Sequence, residues 1–434
     1  MNFAEETLGE ICDRVGGMIR TGPFGSQLHA SDYVPDGIPV VMPKNIADGR
    51  VSTEDIAKVH PEDVLRLSQH VLHKGDIVYG RRGDIGRHAL ITRREEGWLC
   101  GTGCMRVSLG DQVVYPEYLH YYLNQQSVTT WIANQAVGAT MPNLNTDILR
   151  SVPVRYPHQA IQRRIVSILS AYDDLIENNL RRVAILEEMA QAIYREWFVE
   201  FRYPGHDRAA LVQSELGEIP EDWRICRLSE VASVNELTTK QVDLPSSIVY
   251  VDISSVSLGR IGYDRLISRE EIPSRARRVA RHGDTIWSSV RPNRGSYGLV
   301  LDPPANLVVS TGFAVITPKR VPFSYLYHAV TADDFIGYLA NHATGSAYPA
   351  VSFKDFEEAC LPVPSVRLLD AFHTLTGDML NGVNMLQRQN VALRQMRDLL
   401  IPKLVAGEVD LESLDGVCEK WNEQALPPHS GGLW

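Results

Sequence analysis

Apolar residues recur at helical spacing in two long stretches of this chain and at strand spacing through most of the rest. In the first stretch Ile161, Ile165, Ile168, Tyr172, Ile176, Val183, Leu186, Ala190, Ile193 and Trp197 follow one another at three, four or seven residues. The stripe is narrow, which predicts a coiled-coil seam rather than the broad face of a helix lying on a core. Phe372, Leu375, Met379, Val383, Leu386, Leu393, Met396 and Leu400 repeat the pattern. Asn179 and Asn390 fall on the seams, where a buried amide fixes register at a cost in stability. A helix of about 40 residues is about 60 Å long, too long to lie on one small domain. The two stripes are expected to cover each other as an antiparallel pair, with a globular part near each end.

Outside these stretches the chain is written twice, with an offset of 207–210 residues. Residues 40–51 match 250–261 as a strand, a polar turn and a Gly-Arg-aliphatic exit. Lys74-Gly75-Asp76-Ile77-Val78 matches His282-Gly283-Asp284-Thr285-Ile286, and Thr102-Gly103 matches Thr311-Gly312 ahead of an alternating strand. Pro116-Glu117-Tyr118-Leu119 matches Phe323-Ser324-Tyr325-Leu326 at a helix start. Gly138-Ala139-Thr140-Met141-Pro142 matches Gly345-Ser346-Ala347-Tyr348-Pro349, and Val152-Pro153-Val154 matches Leu361-Pro362-Val363. Six matches in one order within three residues of drift mark a duplication. Residues 203–220 carry helix breakers and read as a linker; the residues after Glu408 read as a loosely ordered tail.

Composition changes this picture little. A chain of 434 residues calls for two or three domains. The start is polar and no apolar run reaches the roughly 18–20 residues of a membrane span. Six sparse cysteines fit reduced thiols, so a soluble cytoplasmic protein is expected. The net charge of −10 argues at first against a nucleic-acid partner, but phosphate contact depends on the local field. Between Arg260 and Arg294 nine arginines face four acids, and Arg81, Arg82, Arg87, Arg93 and Arg94 form a second cluster. Arginine outnumbers lysine 35 to 8. That suits bidentate contact with phosphate or guanine, and a GC-rich genome gives the same bias.

Catalytic patterns are missing. Asp302-Pro303-Pro304-Ala305 approaches an adenine-methyltransferase motif but lacks the aromatic residue that stacks on a flipped base, and reads as a Pro-rich loop. No acid stands two residues before any of the eight lysines, which opposes the commonest metal-dependent nuclease. Gly80-Arg81-Arg82-Gly83-Asp84-Ile85-Gly86 has no following Gly-Lys-Ser/Thr; it is either a turn presenting arginines to DNA or a plain loop. Cys100 and Cys104 have no second ligand pair for zinc, and the histidines pair with no nucleophile.

Gly217-Glu218-Ile219-Pro220-Glu221-Asp222-Trp223 with Arg227-Leu228-Ser229-Glu230-Val231 resembles the opening of a target recognition domain in type I restriction–modification specificity subunits. So do Gly22-Pro23-Phe24-Gly25-Ser26, Gly37-Ile38-Pro39-Val40, Lys74-Gly75-Asp76-Ile77-Val78 and Gly138-Ala139-Thr140-Met141-Pro142-Asn143-Leu144. Residues 157–201, with Glu187-Glu188-Met189-Ala190-Gln191, resemble the family's central helical region. The first copy lacks the Ile-Pro-x-x-Trp opening, so its first strand is expected to differ or be partly absent. The resemblance implies a mixed α/β fold: recognition domains at 1–157 and 221–364, long helices at 158–202 and 365–408, a linker at 203–220, a tail at 409–434, and pseudo-two-fold symmetry. It further implies a non-catalytic chain that reads a bipartite double-stranded DNA target. The helices would set the gap, two methyltransferase subunits would dock on them, and motor-nuclease subunits would join. S-adenosylmethionine, ATP and Mg would enter through those partners, with no cofactor on this chain. Half-sites one helical turn apart are about 34 Å from each other, within reach of such a rod.

Candidate backbone contacts are Ser26, Lys44, Arg81, Arg82 and Arg87 in the first copy and Arg260, Arg275, Arg277 and Arg278 in the second, since phosphate contacts set register. Candidate base readers are Asn45, His88, Asn143, Ser288, Arg291, Asn293 and Tyr348. Phe24 and Tyr348 either stack on DNA or anchor their own loops. Two other classes stay open: a self-sufficient restriction or modification enzyme, and a coiled-coil scaffold without a DNA role.

Overall fold

A computed structural model describes residues 3–83, 85–135, 143–345 and 348–409. The chain divides into two compact units, one built from 1–176 with 391–434, the other from 177–390.

In the first unit the central sheet is antiparallel, in the order Met18–Thr21, Cys104–Ser108, Ile77–Gly80, His88–Leu90. Ile77–Gly80 is buried on both faces, which is why it reads as a continuous apolar run rather than an alternating one. A second sheet runs Leu99–Cys100, Ile38–Val41, Ala57–Val59, Tyr33–Val34, with its first pair parallel.

The second unit repeats this. Its central sheet runs Ala232–Val234, Phe313–Pro318, Thr285–Ser288, Tyr297–Leu299. Its other sheet sets Ser247–Val251 parallel to Leu307–Ser310 and antiparallel to Leu266–Ser268. The two units differ at that sheet's edge: Tyr33–Val34 adds beside Ala57–Val59 in one, Ala276–Arg278 beside Leu307–Ser310 in the other. Two copies with the same central strand order are what the repeat predicts.

The Gly-Asp motif in each copy is a piece of turn architecture. Gly75 and Gly283 take φ of +91° and +89°, where a side chain is strained. The aspartate then closes the turn: Asp76 Oδ2 accepts from the His73 amide at 2.9 Å, and Asp284 Oδ2 from the Arg281 amide at 2.7 Å. Buried Asp76 also meets the Arg106 guanidinium at 3.6 Å, whereas the register of the second sheet puts Val315 at the matching place. Burial accordingly pushes the Asp284 carboxyl above its usual 3.8, against the lowering by the Arg281 amide. A raised folded-state value means that the charged form opposes folding, and that this penalty disappears as pH falls to the unfolded value. Asp284→Asn keeps the acceptor for the Arg281 amide and removes the buried charge. The variant is expected to melt higher than wild type at pH 7, with the gain vanishing toward pH 4. A thermal-denaturation series across that range checks it; a gain that grows on acidification contradicts it.

The expected shortfall in the first strand does not occur. Phe3–Thr7 pairs antiparallel with Pro153–Pro157, as Arg224–Arg227 does with Cys360–Val363. Five residues ahead of the Leu8 helix suffice, and Thr7 with Glu10 closes a capping box at its start. Nor is 203–220 a plain linker. Leu211–Ser214 and Gly217–Pro220 form a hairpin, and Tyr203 and Ile219 are buried with Trp223 in the second unit's core.

The long helices span Gln159–Tyr194, continued by one π-helical turn at Arg195–Val199, and Val366–Ala406. Each contributes to both units. In the first, Ile165 and Leu169 share a core with Ile401, Leu404 and Val405. In the second, Val183 clusters with Val383 and Leu386, and Tyr194 and Phe198 pack on Phe372. Partners descend along one helix as they ascend along the other, so within each unit the pair is antiparallel. Asn179 Nδ2 donates to Asn390 Oδ1 at 2.9 Å and to Gln389 Oε1 at 3.1 Å, placing both amides at the seam. Leu375 and Met396, read as seam residues, are 45% and 55% exposed; Leu369, Thr376 and Leu380 are buried instead.

Candidate nucleic-acid interface

Loops from separate parts of each copy meet at the same end of its central sheet. In the first unit Ile77–Gly80 ends and Cys104–Ser108 begins there, because the two strands are antiparallel. The Arg81 amide donates to the Gly103 carbonyl at 2.8 Å, the Leu144 amide to the Arg81 carbonyl at 3.0 Å, and Arg81 Nε to the Leu144 carbonyl at 3.2 Å. Arg82 bridges Asn143. A Cβ on Gly103 would lie 3.3 Å from Pro43, and one on Gly22 would strike the Gly101 carbonyl. The Pro43–Asn45 turn and the loop that follows Gly22 therefore close on the same turn. This gathers exposed Lys44, Arg82 and Asn143, with half-buried Arg81, around residues 101–103, while Ser26 is exposed in the loop that follows Gly22. Exposed Arg87 sits at the outer side, its Nη1 donating to the Ile46 carbonyl at 3.4 Å. Most of the Gly138-Ala139-Thr140-Met141-Pro142 segment lies outside the described residues.

In the second unit the Ser289 amide donates to the Gly312 carbonyl and the Val351 amide to the Ser289 carbonyl, at 2.9 and 2.8 Å. The Arg291 amide donates to the Pro349 carbonyl at 2.7 Å, and the Thr311 amide to the Arg275 carbonyl at 2.8 Å. Exposed Arg275, Asn293 and Tyr348 and half-buried Arg291 thus belong to one loop group. Arg277 is exposed nearby, its Nε donating to the Ser274 carbonyl. The Arg278 guanidinium lies 4.9 Å from the centre of the Phe353 ring, and burial lowers its pKa.

Four candidates are placed elsewhere. Asn45 is 1% exposed; its Oδ1 accepts from the Met42 amide and its Nδ2 donates to the Glu54 carbonyl, so it builds the turn beneath Lys44. His88 is 2% exposed, with its ring nitrogens on the Gly86 and His120 carbonyls, and burial lowers its pKa. Ser288 is fully buried and donates to the Val290 carbonyl. These side chains serve the fold: His88 and Ser288 sit at inward-facing strand positions, and Asn45 closes its own turn. Arg260 lies near Glu187 of the central helix, lowering a carboxyl that burial raises more, rather than in the loop group. Ser254, exposed in the Ile253–Ser255 turn that matches Pro43–Asn45 in the repeat, was not among the candidates; aligning the copies adds it.

Guanidinium, amide and phenol groups on these loops offer hydrogen-bond donors and positive charge rather than a nucleophile or a base. Cys100 and Cys104 are apolar-core residues, and burial pushes the Cys100 thiol up to about 12. Asp302-Pro303-Pro304-Ala305 is a loop between the Tyr297–Leu299 and Leu307–Ser310 strands, with Asp302 against His282 at 3.1 Å. Among the described residues no group of three or more His, Cys, Asp or Glu is placed to hold a metal, and no helix is long and apolar enough to cross a membrane.

Residues 3–187 match the family described as the type I restriction modification DNA specificity domain. The MjaIX specificity subunit of Methanocaldococcus jannaschii is 23% identical over 397 residues, covering 88% of this chain and 89% of that one. The HindI specificity subunit of Haemophilus influenzae is 27% identical over 208 residues, 44% of this chain and 45% of its own. The crystal structure of a type I restriction–modification S subunit from M. genitalium superposes with a TM-score of 0.56 at 15% identity, covering 93% of this chain and 96% of that one. Residues 3–187 thus match the DNA specificity domain of this family, the relatives extend the similarity over nearly the whole chain, and the fold is shared with a solved S subunit: the chain is similar throughout to type I restriction–modification specificity subunits.

Proposed function

We infer that this chain gives a type I restriction–modification enzyme its DNA sequence specificity and is not catalytic by itself. The observation that carries this reading is the pair of equivalent loop groups, assembled by the same backbone contacts and presenting different side chains. Equal scaffolds with unequal loops are what reading two unrelated half-sites requires. In this proposal residues 1–157 and 221–364 are the reading domains and the helices at 158–202 and 365–408 set the gap. Two methyltransferase subunits dock on the helices, where Ile185, Met189 and Met385 leave apolar surface exposed. Motor-nuclease subunits complete a cytoplasmic assembly on double-stranded DNA. S-adenosylmethionine, ATP and Mg are used by the partners.

Mapping methylated adenines in the host genome tests the reading. The expected result is a bipartite motif that disappears when this chain is deleted and returns on complementation. Methylation or cleavage by the purified chain alone would favour a self-sufficient enzyme instead, and a motif that survives the deletion removes the role altogether.

A further inference from the structure

The loop groups of the two units are not chemically equivalent. Arg291 takes φ +50° and ψ +62°, a left-handed conformation that a residue with a side chain rarely adopts. Contacts on both sides hold it there. Its amide donates to the Pro349 carbonyl, its carbonyl accepts from the Arg294 amide at 2.9 Å, and Val290 bridges Ala350. The outcome is a guanidinium 4.6 Å from the centre of the Tyr348 ring, while Tyr348 is 70% exposed. A ring that merely anchored its loop would be buried. The matching residues of the first copy are Gly83 and Met141, which cannot form such a pair.

Stacking on an aromatic face fixes the plane of a guanidinium. A phosphate needs only a positive charge, whereas O6 and N7 of guanine need two donors held in one plane. We propose that Arg291, seated over the face of Tyr348, reads a guanine in the half-site bound by the second domain. This rests on the specificity-subunit reading. It makes one G·C pair of that half-site depend on these two residues, with no counterpart in the other half.

The test maps methylation motifs in the host for wild type, Arg291→Gly, Arg291→Lys and Tyr348→Phe, then measures gel shifts of the assembled methyltransferase complex on duplexes permuted at the assigned position. Glycine adopts a positive φ without strain, so Arg291→Gly removes the side chain and leaves the loop its conformation. The expected result is a wild-type motif with G·C in one half and a preference for it that falls roughly tenfold to a hundredfold in Arg291→Gly. Lysine should not restore that preference, Tyr348→Phe should keep it, and the other half of the motif should not change. Restoration by lysine, or weakening equal on all four duplexes, marks a phosphate contact and overturns the proposal. So does a guanine preference that survives Arg291→Gly. If wild type yields no bipartite motif, the specificity-subunit reading fails rather than this assignment.

Discussion

Phe372→Ala is expected to destabilise the second unit by about 3–5 kcal/mol, the range for removing a large aromatic side chain from a core that cannot close over the gap. Phe372 is fully buried. Its ring meets Phe198 edge-on at 4.9 Å and lies about 6 Å from Tyr194, Trp197 and His328. It therefore joins the end of the central helix, the start of the C-terminal helix and the second domain's core. Leu375→Ala, less than one turn away on the same helix and 45% exposed, is expected to cost under about 0.5 kcal/mol. Both had equal standing in the apolar stripe, so the contrast separates seam from surface. Urea denaturation of the two variants checks it; equal losses would mean that the packing around Phe372 is not as described.

Asp173→Ala is expected to cost the first unit about 1.5–3 kcal/mol, because it takes the more enclosed of two carboxylates from a largely buried guanidinium, leaving it only the exposed Asp398 at 2.9 Å, and strips the Tyr121 hydroxyl of its acceptor. Arg397 Nη1 donates to Asp173 Oδ1 at 2.5 Å, and the Tyr121 hydroxyl donates to Asp173 Oδ2 at 2.6 Å. The ion-pair side chains are 23% and 19% exposed, too enclosed for water to take over the lost contact. Replacing both at once, as Asp173→Leu with Arg397→Met, should recover most of the loss, since two apolar side chains of similar volume bury no charge. A double-mutant cycle measures the coupling. A double variant as unstable as Asp173→Ala would show that packing rather than charge pairing holds this contact.

These two sites illustrate what periodicity can detect. Phe372 belongs to the predicted stripe, whereas Asp173 and Arg397 lie outside it, and only the approach of two helices distant in sequence encloses them. The exchange of Leu375 and Met396 for Leu369, Thr376 and Leu380 at buried positions has a similar cause. A helix of 3.6 residues per turn drifts against a 3.5-residue repeat, and the domain cores claim positions that a free seam would not. The candidate interface divides along the same line. Repeat matching located the arginine loop and the Tyr348 loop in each relevant copy, but nothing local told exposed Asn293 from buried Ser288, because an inward turn of one strand residue decides it.

Spacing of apolar residues, the duplicated motifs and the turn residues Gly75, Asp76, Gly283 and Asp284 were sufficient to determine two related α/β units and two long helices. Each of those signals acts within a few residues of chain, through side-chain period or allowed backbone angles. Which loops meet at the end of each sheet, the seating of the Arg291 guanidinium over the Tyr348 ring, and the burial of Asn45, His88 and Ser288 were decided only by tertiary structure. Those outcomes depend on contacts between residues tens to hundreds of positions apart, and the free energy of such a contact is settled only when both partners leave water together.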